Sequence, residues 1–369
     1  MGRKEKKHAV LVLEDGTVFE GIGFGAEGKV TGEVVFNTGM VGYTESVTDP
    51  SYHGQILCQT YPLIGNYGVN RKDFESGRPQ IQGYIAQEIC GKPSHYTSQL
   101  TVNEWLKANG TPGIQGIDTR MLTKKLRERG VMLGILEVQG NEIDKEKLLK
   151  EAKRIPDPDE RDLVSEVTIR KEIIYGNKGR NIVLIDCGTK LSIIKYLLEK
   201  GRVVRVPASE SADKIMGFDP CAVVVSNGPG DPKMVPYITK TLRKLIESRL
   251  PILGICLGSQ ILTLALEGDT YKLKFGHRGQ NHPVTDTKTR RCYITSQNHG
   301  FATDMNSFKG KGINVNFVNL NDGTVEGIEH EKLPIVGYQF HPEASPGPED
   351  TTSLFDRFFK KVRCLHDKI

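Results

Sequence analysis

From Asn181 onward the sequence keeps one rhythm, in which short, unbroken apolar runs alternate with amphipathic segments. Ile182-Val183-Leu184-Ile185, Val203-Val204-Arg205-Val206, Ala222-Val223-Val224-Val225 and Pro251-Ile252-Leu253-Gly254-Ile255 are short enough for strands. They are too uniformly apolar to keep one face in water. Between them come Leu191, Ile194, Leu197 and Leu198 at helical spacing up to Gly201, a short helix near Ser211, and a helix over roughly Pro232 to Glu247. Doubly buried strands alternating with helices predict an α/β fold with a doubly wound, mostly parallel sheet. Such sheets bind ligands at the carboxyl ends of their strands. The residues directly after each apolar run are therefore the ones to weigh.

The first half has another character. Ala9 to Leu13 is apolar, Asp15-Gly16 is a hairpin signal, and Thr17-Val18-Phe19-Glu20 reads as the return strand. Gly32 to Asn37 reads as a further strand. A helix is predicted from Thr119 to Arg129, capped by Asp118, stopped by Gly130 and lined on one side by Met121, Leu122 and Leu126. A chain of 369 residues exceeds what one core usually organises. The expected division is a strand-rich domain over 1–153, a charged, proline-bearing linker over 154–179, and the α/β domain over 180–369.

Composition removes several function classes. With 37% hydrophobic and 26% charged residues the chain is an ordinary soluble one. The net charge of +5 is small, and the basic run Arg3-Lys4-Glu5-Lys6-Lys7 reads as a solvated tail, with no following stripe of cations and aromatics. No nucleic-acid partner is expected. Seven cysteines, without any C-x-x-C pair, suggest reduced thiols in a cytoplasmic protein. The apolar run His8 to Leu13 is too short for a secretory signal, and no segment approaches membrane-spanning length.

Three features converge on the strand ends. Cys256 sits directly between the run ending at Ile255 and a helix over Leu257 to Glu267, within Gly254-Ile255-Cys256-Leu257-Gly258-Ser259-Gln260. Small neighbours allow a sharp strand-to-helix turn that exposes the thiol, and the helix N-terminus favours the thiolate. A structural cysteine in a tight turn is the competing reading. The run Ile335 to Phe340 delivers His341-Pro342-Glu343, in which an imidazole can serve a thiolate while the carboxylate orients its other nitrogen. Ser226-Asn227-Gly228-Pro229-Gly230-Asp231-Pro232 follows the run ending at Val225, and its glycines let a backbone N–H approach a substrate oxygen. With the N–H of Leu257 that would make an oxyanion hole. The Lys-Ser/Thr of a P-loop is missing. His277 and His282 suggest a metal pair, but no carboxylate or cysteine at ligand spacing completes it, so no metal site is expected. His299 reads as a local hydrogen-bonding residue.

In this order and setting, the three features make residues 181–369 resemble the class I (triad) glutamine amidotransferases. The resemblance implies Cys256 as nucleophile, His341 as general base and acid, and Glu343 as its orienting partner. It implies further that Gly228, Gly230, Leu257, Gln260 and the Gln297-Asn298-His299-Gly300-Phe301 segment grip L-glutamine, with Asn298, Gly300 and Phe301 in contact. Ser259 stands where that family's elbow usually carries histidine; none of the three triad positions is affected.

The strings Val35 to Glu45, Thr48-Asp49-Pro50-Ser51-Tyr52, Tyr61 to Gly68 and Gly116-Ile117-Asp118-Thr119-Arg120 resemble the N-terminal domain of carbamoyl-phosphate synthase small subunits. That resemblance implies that Ser51 contacts glutamine across the domain boundary. It implies a large synthetase subunit as partner, in a heterodimer or an oligomer of heterodimers. That subunit would use bicarbonate, ATP and Mg and receive ammonia through a tunnel, this chain carrying no cofactor of its own. Two rival readings are a catalytically silent scaffold for the ammonia tunnel and a stand-alone γ-glutamyl hydrolase; the latter leaves the first 150 or so residues unexplained.

Overall fold

The computed structural model describes residues 7–361, and the chain divides into two units, Met1–Arg161 and Asp162–Ile369. Of the basic N-terminal run, residues 3–6 lie outside the described residues, while Lys7 pairs with Glu27 at 3.5 Å.

The first unit is built on a closed barrel of seven strands. Their order round the barrel is His8–Leu13, Val18–Gly25, Pro112–Gln115, Gly83–Ala86, Gln55–Gln59, Gly28–Asn37 and Met132–Gln139, which returns to the first. Closure leaves no unpaired strand edge. The predicted hairpin forms: Gly16 takes φ 87° and donates to the Leu13 carbonyl at 2.9 Å, while the Asp15 carboxylate accepts from the Thr17 N–H at 3.0 Å. The strand read from Gly32 begins four residues earlier, because pairing with Met132–Gln139 carries the weakly patterned Gly28 to Thr31 along.

The helix Thr119–Arg129 has its predicted ends. The Asp118 carboxylate accepts from the Met121 N–H at 2.8 Å, and Gly130 closes it with φ 105°. Leu122 and Leu126 are fully buried, but Met121 is 50% exposed and does not join the apolar side. Helix periodicity explains the correction: Met121 and Leu122 are adjacent and cannot both face inward on so narrow a stripe.

The second unit holds a ten-stranded sheet in the order Ile173–Tyr175, Arg202–Pro207, Asn181–Asp186, Pro220–Val225, Ile252–Ile255, Ile335–Tyr338, Val325–His330, Cys292–Thr303, Thr270–Asp286 and Ile313–Asn319. Parallel pairing joins only the five strands from Arg202–Pro207 to Ile335–Tyr338. The rest pair antiparallel: Ile173–Tyr175 at one edge, and the strands from Thr270 to His330, a stretch that contains hairpins and no α-helical crossover. Successive residues of the parallel strands alternate between two apolar clusters. Leu184, Val224 and Leu253 pack with Ile193, Leu197 and Phe355, whereas Val183, Val223 and Ile252 pack with Ile215, Leu242 and Ile261.

Two boundaries differ from expectation. The helix predicted from Pro232 breaks into a 3₁₀ turn, Pro232–Met234, and a helix Pro236–Glu247, because Pro236 disfavours helical geometry at Val235. The supposed linker contributes a short helix, Val164–Val167, and the antiparallel edge strand Ile173–Tyr175, whose short apolar run is hidden among charges.

Leu122→Ala should lower the stability of the first unit by about 2–5 kcal/mol, and Met121→Ala should change it by no more than about 0.5 kcal/mol. Urea unfolding followed by fluorescence of Trp105, the single tryptophan and a buried member of the same unit, measures both. Equal losses would contradict the assigned helix face.

Candidate active site

Strand Ile252–Ile255 ends at Cys256, which turns the chain into the helix Leu257–Ala265. Cys256 takes φ 53° and ψ −108°, a sparsely populated conformation for a residue with a Cβ. The turn is held by its N–H, which donates to the Tyr338 carbonyl at 2.7 Å on the neighbouring parallel strand. It closes only because its surroundings are small. A Cβ on Gly258 would lie 2.1 Å from the Val225 carbonyl oxygen, and one on Gly228 would lie 2.2 Å from that of Cys187 and 2.8 Å from Leu257 Cδ2. The Gly228 backbone therefore packs directly against Leu257, so the two segments expected to supply oxyanion donors are neighbours. Gly230, in the same loop as Gly228 and with φ 83°, packs on Leu163 at the start of the helix Val164–Val167.

His341 and Glu343 follow strand Ile335–Tyr338, which ends two residues short of the predicted run, and both are buried. His341 Nδ1 and Glu343 Oε1 are 2.6 Å apart. His341 Nε2 is buried without a formed hydrogen bond and is the nitrogen left to the Cys256 thiol, whose proximity favours the charged ring. Burial opposes that charge, but the Glu343 carboxylate outweighs it and lifts His341 to about 10. Burial would raise Glu343 too, yet Lys190 and His341 pull it down to about 2.

Lys190 was not singled out in the sequence. Its Nζ donates to Glu343 Oε1 at 2.9 Å and to the Ser345 carbonyl at 2.7 Å, with a side chain only 3% exposed. It is delivered by the turn after strand Asn181–Asp186, where the Asp186 carboxylate accepts from the N–H groups of Gly188 and Thr189 at 3.2 and 2.8 Å. The signal that could have found it is its place just past a parallel strand's carboxyl end.

The remaining expected residues of the second unit lie close by. The Cys256 thiol donates to the Asn298 carbonyl at 3.5 Å, and Gln339 Nε2 approaches Sγ at 3.7 Å. Gln260 Nε2 donates to the Phe301 carbonyl at 2.9 Å and to Gln339 Oε1 at 3.1 Å. Gly300 lies between Asn298 and Phe301 on strand Cys292–Thr303. Gln339 is thus a second residue the sequence did not flag. Ser259 is buried, and a Cβ on Gly337 would lie 2.4 Å from its Oγ, so the hydroxyl packs onto the adjacent strand. Ser51 belongs to the first unit, buried in the 3₁₀ turn Pro50–Tyr52.

His299 bonds locally, to the Phe301 carbonyl at 2.7 Å through Nδ1 and to Gln297 Oε1 at 2.9 Å through Nε2. His277 lies between Asp322 and Glu326, at 2.8 and 3.4 Å. Burial disfavours its charged form, but these carboxylates raise it to about 9, and burial beside it lowers His282 to about 4. The carboxylate that local spacing failed to provide for His277 thus comes from distant strands.

Among the described residues, Cys58, Cys90, Cys187, Cys256 and Cys292 are free.

A glutamine amidotransferase class-I family model matches residues 183–361, and one described as carbamoyl-phosphate synthase small chain, CPSase domain, matches residues 11–136. Curated relatives are similar over almost their full lengths. A carbamoyl phosphate synthase small chain of Methanopyrus kandleri is 49% identical over 359 residues, covering 96% of this chain and 99% of its own. One from Listeria monocytogenes is 48% identical, covering 96% of each, and one from Bacillus caldolyticus is 46% identical, covering 97% of each. The second unit is a class I glutamine amidotransferase domain. The chain as a whole belongs to the carbamoyl phosphate synthase small chain family. Among the described residues, no helix is long and apolar enough to cross a membrane.

Because the pKa of His277 is raised above its ordinary 6.5 to about 9, its ion pairs contribute stability fully below pH 6.5, and this is lost as pH rises through 9. The gap in thermal midpoint between wild type and Asp322→Asn should be widest near pH 6 and narrow towards pH 10, as read by calorimetry in metal-free buffer. His282, His299 and Glu326 also face this ring. A gap independent of pH would mean that His277 is not charged in the folded protein.

Proposed function

We propose that this chain hydrolyses glutamine for a carbamoyl-phosphate synthase, with Cys256, His341 and Glu343 acting as a nucleophilic triad. The observation that carries the reading is the buried line from Glu343 through His341 to a thiol on a strained strand-to-helix turn. The placement of helices against both faces of the parallel strands supports the doubly wound arrangement of the class.

In the mechanism, the Cys256 thiolate attacks the side-chain carbonyl carbon of glutamine, and the oxyanion is held by N–H groups near Gly228 and Leu257. The imidazolium of His341 gives its proton to the departing nitrogen as the C–N bond breaks, releasing ammonia and leaving a γ-glutamyl thioester. His341 then takes a proton from water, whose oxygen attacks the thioester to free glutamate and restore the thiolate. Glu343 keeps Nδ1–H engaged, so that Nε2 handles the proton in both steps. Lys190 keeps Glu343 ionised. Gly230, Gln260, Asn298, Gly300 and Phe301 are proposed to hold glutamine, and the Ser51 contact rests on family resemblance alone.

The relatives' names, as small chains, support a large-chain partner; we propose a heterodimer in which that chain uses bicarbonate, ATP and Mg and receives the ammonia. We place this assembly in the cytoplasm, serving arginine or pyrimidine synthesis, with higher oligomers open. The silent-scaffold reading is disfavoured by the intact, hydrogen-bonded His341–Glu343 pair, and the stand-alone hydrolase by the family match of the first unit.

A γ-glutamyl electrophile should label Cys256 alone. Cys58 and Cys187 are fully enclosed, and burial pushes the Cys58 thiol up to about 12 and that of Cys187 well above the ordinary range. Cys364 lies outside the described residues. Peptide mapping after stoichiometric inactivation reads the site, and label chiefly on exposed Cys292 would overturn the assignment.

In the complex with the large chain, Cys256→Ser should abolish carbamoyl phosphate synthesis from glutamine and leave synthesis from ammonium salts intact. Both are measured at saturating ATP and bicarbonate. Full glutamine-dependent activity in the variant would remove Cys256 as nucleophile, and a wild type that uses only ammonium salts would establish the scaffold reading.

A further inference from the structure

A second polar cluster lies beside the triad, on the strand that carries Asn298 and Phe301. It joins residues far apart in sequence: His277 from strand Thr270–Asp286, His299 from Cys292–Thr303 and Glu326 from Val325–His330. All three are buried, and one ligating atom from each lies within 4.8 Å of the others. We propose that His277, His299 and Glu326 form a binding site for one divalent transition-metal ion of the zinc type, with Asp322 orienting His277 from outside the coordination sphere.

Each residue presents what such an ion needs. Asp322 Oδ2 lies 2.8 Å from His277 Nε2, which leaves Nδ1 towards Glu326 Oε1 at 3.4 Å. A carboxylate on the far nitrogen of a ligating histidine is the usual device for fixing its tautomer. The Nδ1–H of His299 donates to the Phe301 carbonyl at 2.7 Å, so Nε2 keeps its lone pair, and that lone pair meets Gln297 Oε1, itself an acceptor, at 2.9 Å. A cation, or a reversed Gln297 amide, satisfies both acceptors.

Glu326 Oε2 is buried without a hydrogen bond, and so are both ring nitrogens of His282, whose centroid lies 5.1 Å from that of His277. Buried polar atoms are rarely left unpaired, and these three belong to one proposed ligand and to the ring beside another. Two imidazoles and a carboxylate suit Zn²⁺, Co²⁺ or Ni²⁺ better than Mg²⁺ or Ca²⁺, which prefer all-oxygen shells. Bond lengths of about 2.0–2.2 Å would draw the donors together by on the order of 1 Å. Asp322, 42% exposed, opens the cluster to solvent, and its charge with that of Glu326 balances a dication. Such an ion would take no part in amide hydrolysis; it would pin the strand that carries the expected glutamine contacts.

The test uses the full chain with Cys256 and exposed Cys292 replaced by serine, freed of metal by chelator and titrated with Zn²⁺ and Co²⁺. One equivalent should bind. The Co²⁺ form should show visible absorption of a low-coordinate nitrogen–oxygen site without thiolate charge-transfer bands, and Zn²⁺ should raise the thermal midpoint. Glu326→Gln should weaken binding at least about tenfold, and Asp322→Asn by about 10–100-fold, with unchanged far-ultraviolet circular dichroism in the metal-free state. If Glu326→Gln does not fold, Asp322→Asn decides. Absence of stoichiometric binding by the folded chain, or binding that the folded variants leave unchanged, would overturn the site. So would binding seen only while Cys256 or Cys292 is present, since that would locate the ion on a thiol.

Discussion

The second unit depends on the backbone at Cys256. A residue with a Cβ at φ 53° and ψ −108° persists only where its surroundings fix it more firmly than the strain relaxes it. Here the fixing groups come from the parallel strands on either side. The Tyr338 carbonyl takes the Cys256 N–H, and the Val225 and Ser226 carbonyls crowd Gly258 so closely that no side chain fits there. The same three strands deliver the loop at Gly228, the thiol and His341. Parallel pairing, sharp turn and site are one constraint seen at three scales.

Charge does the remaining positioning. Lys190, Glu343 and His341 form a buried line in which each charge is matched by the next, starting from a turn that Asp186 holds. A buried carboxylate facing a single imidazole would gain less from ionising than one shared between imidazole and ammonium. Lys190 therefore secures the ionisation of Glu343, and Glu343 in turn secures both the orientation and the charge of His341. The arrangement acts through geometry as much as through acidity, because Nδ1 is committed and only Nε2 can meet the thiol.

Much of this was legible in sequence. The runs ending at Ile185, Val225 and Ile255 were unambiguous because strands buried on both faces have no polar alternation to obscure them. Cys256, His341 and Glu343 were visible because they follow such runs. The barrel was legible only as separate strands, since its closure rests on pairings between distant segments such as His8–Leu13 with Met132–Gln139. The antiparallel extension escaped notice for a similar reason: the polar strand Thr270–Asp286 has no apolar run to announce it. Lys190 and Gln339 looked like ordinary polar residues. Glu326 joined His277 only when the sheet placed their strands near one another, and no local spacing rule reaches that far.

In the proposed reaction the thiol of Cys256 becomes covalently bonded to the glutamyl group during turnover. It is tested most directly by mixing the chain, in complex with its large-chain partner, with isotopically labelled glutamine, quenching with acid within one turnover, and mapping the label by mass spectrometry. A γ-glutamyl thioester is expected on the peptide that contains Cys256, appearing and decaying with glutamine consumption. Turnover of glutamine with no adduct on that peptide at any quench time, or an adduct on another residue, would contradict it.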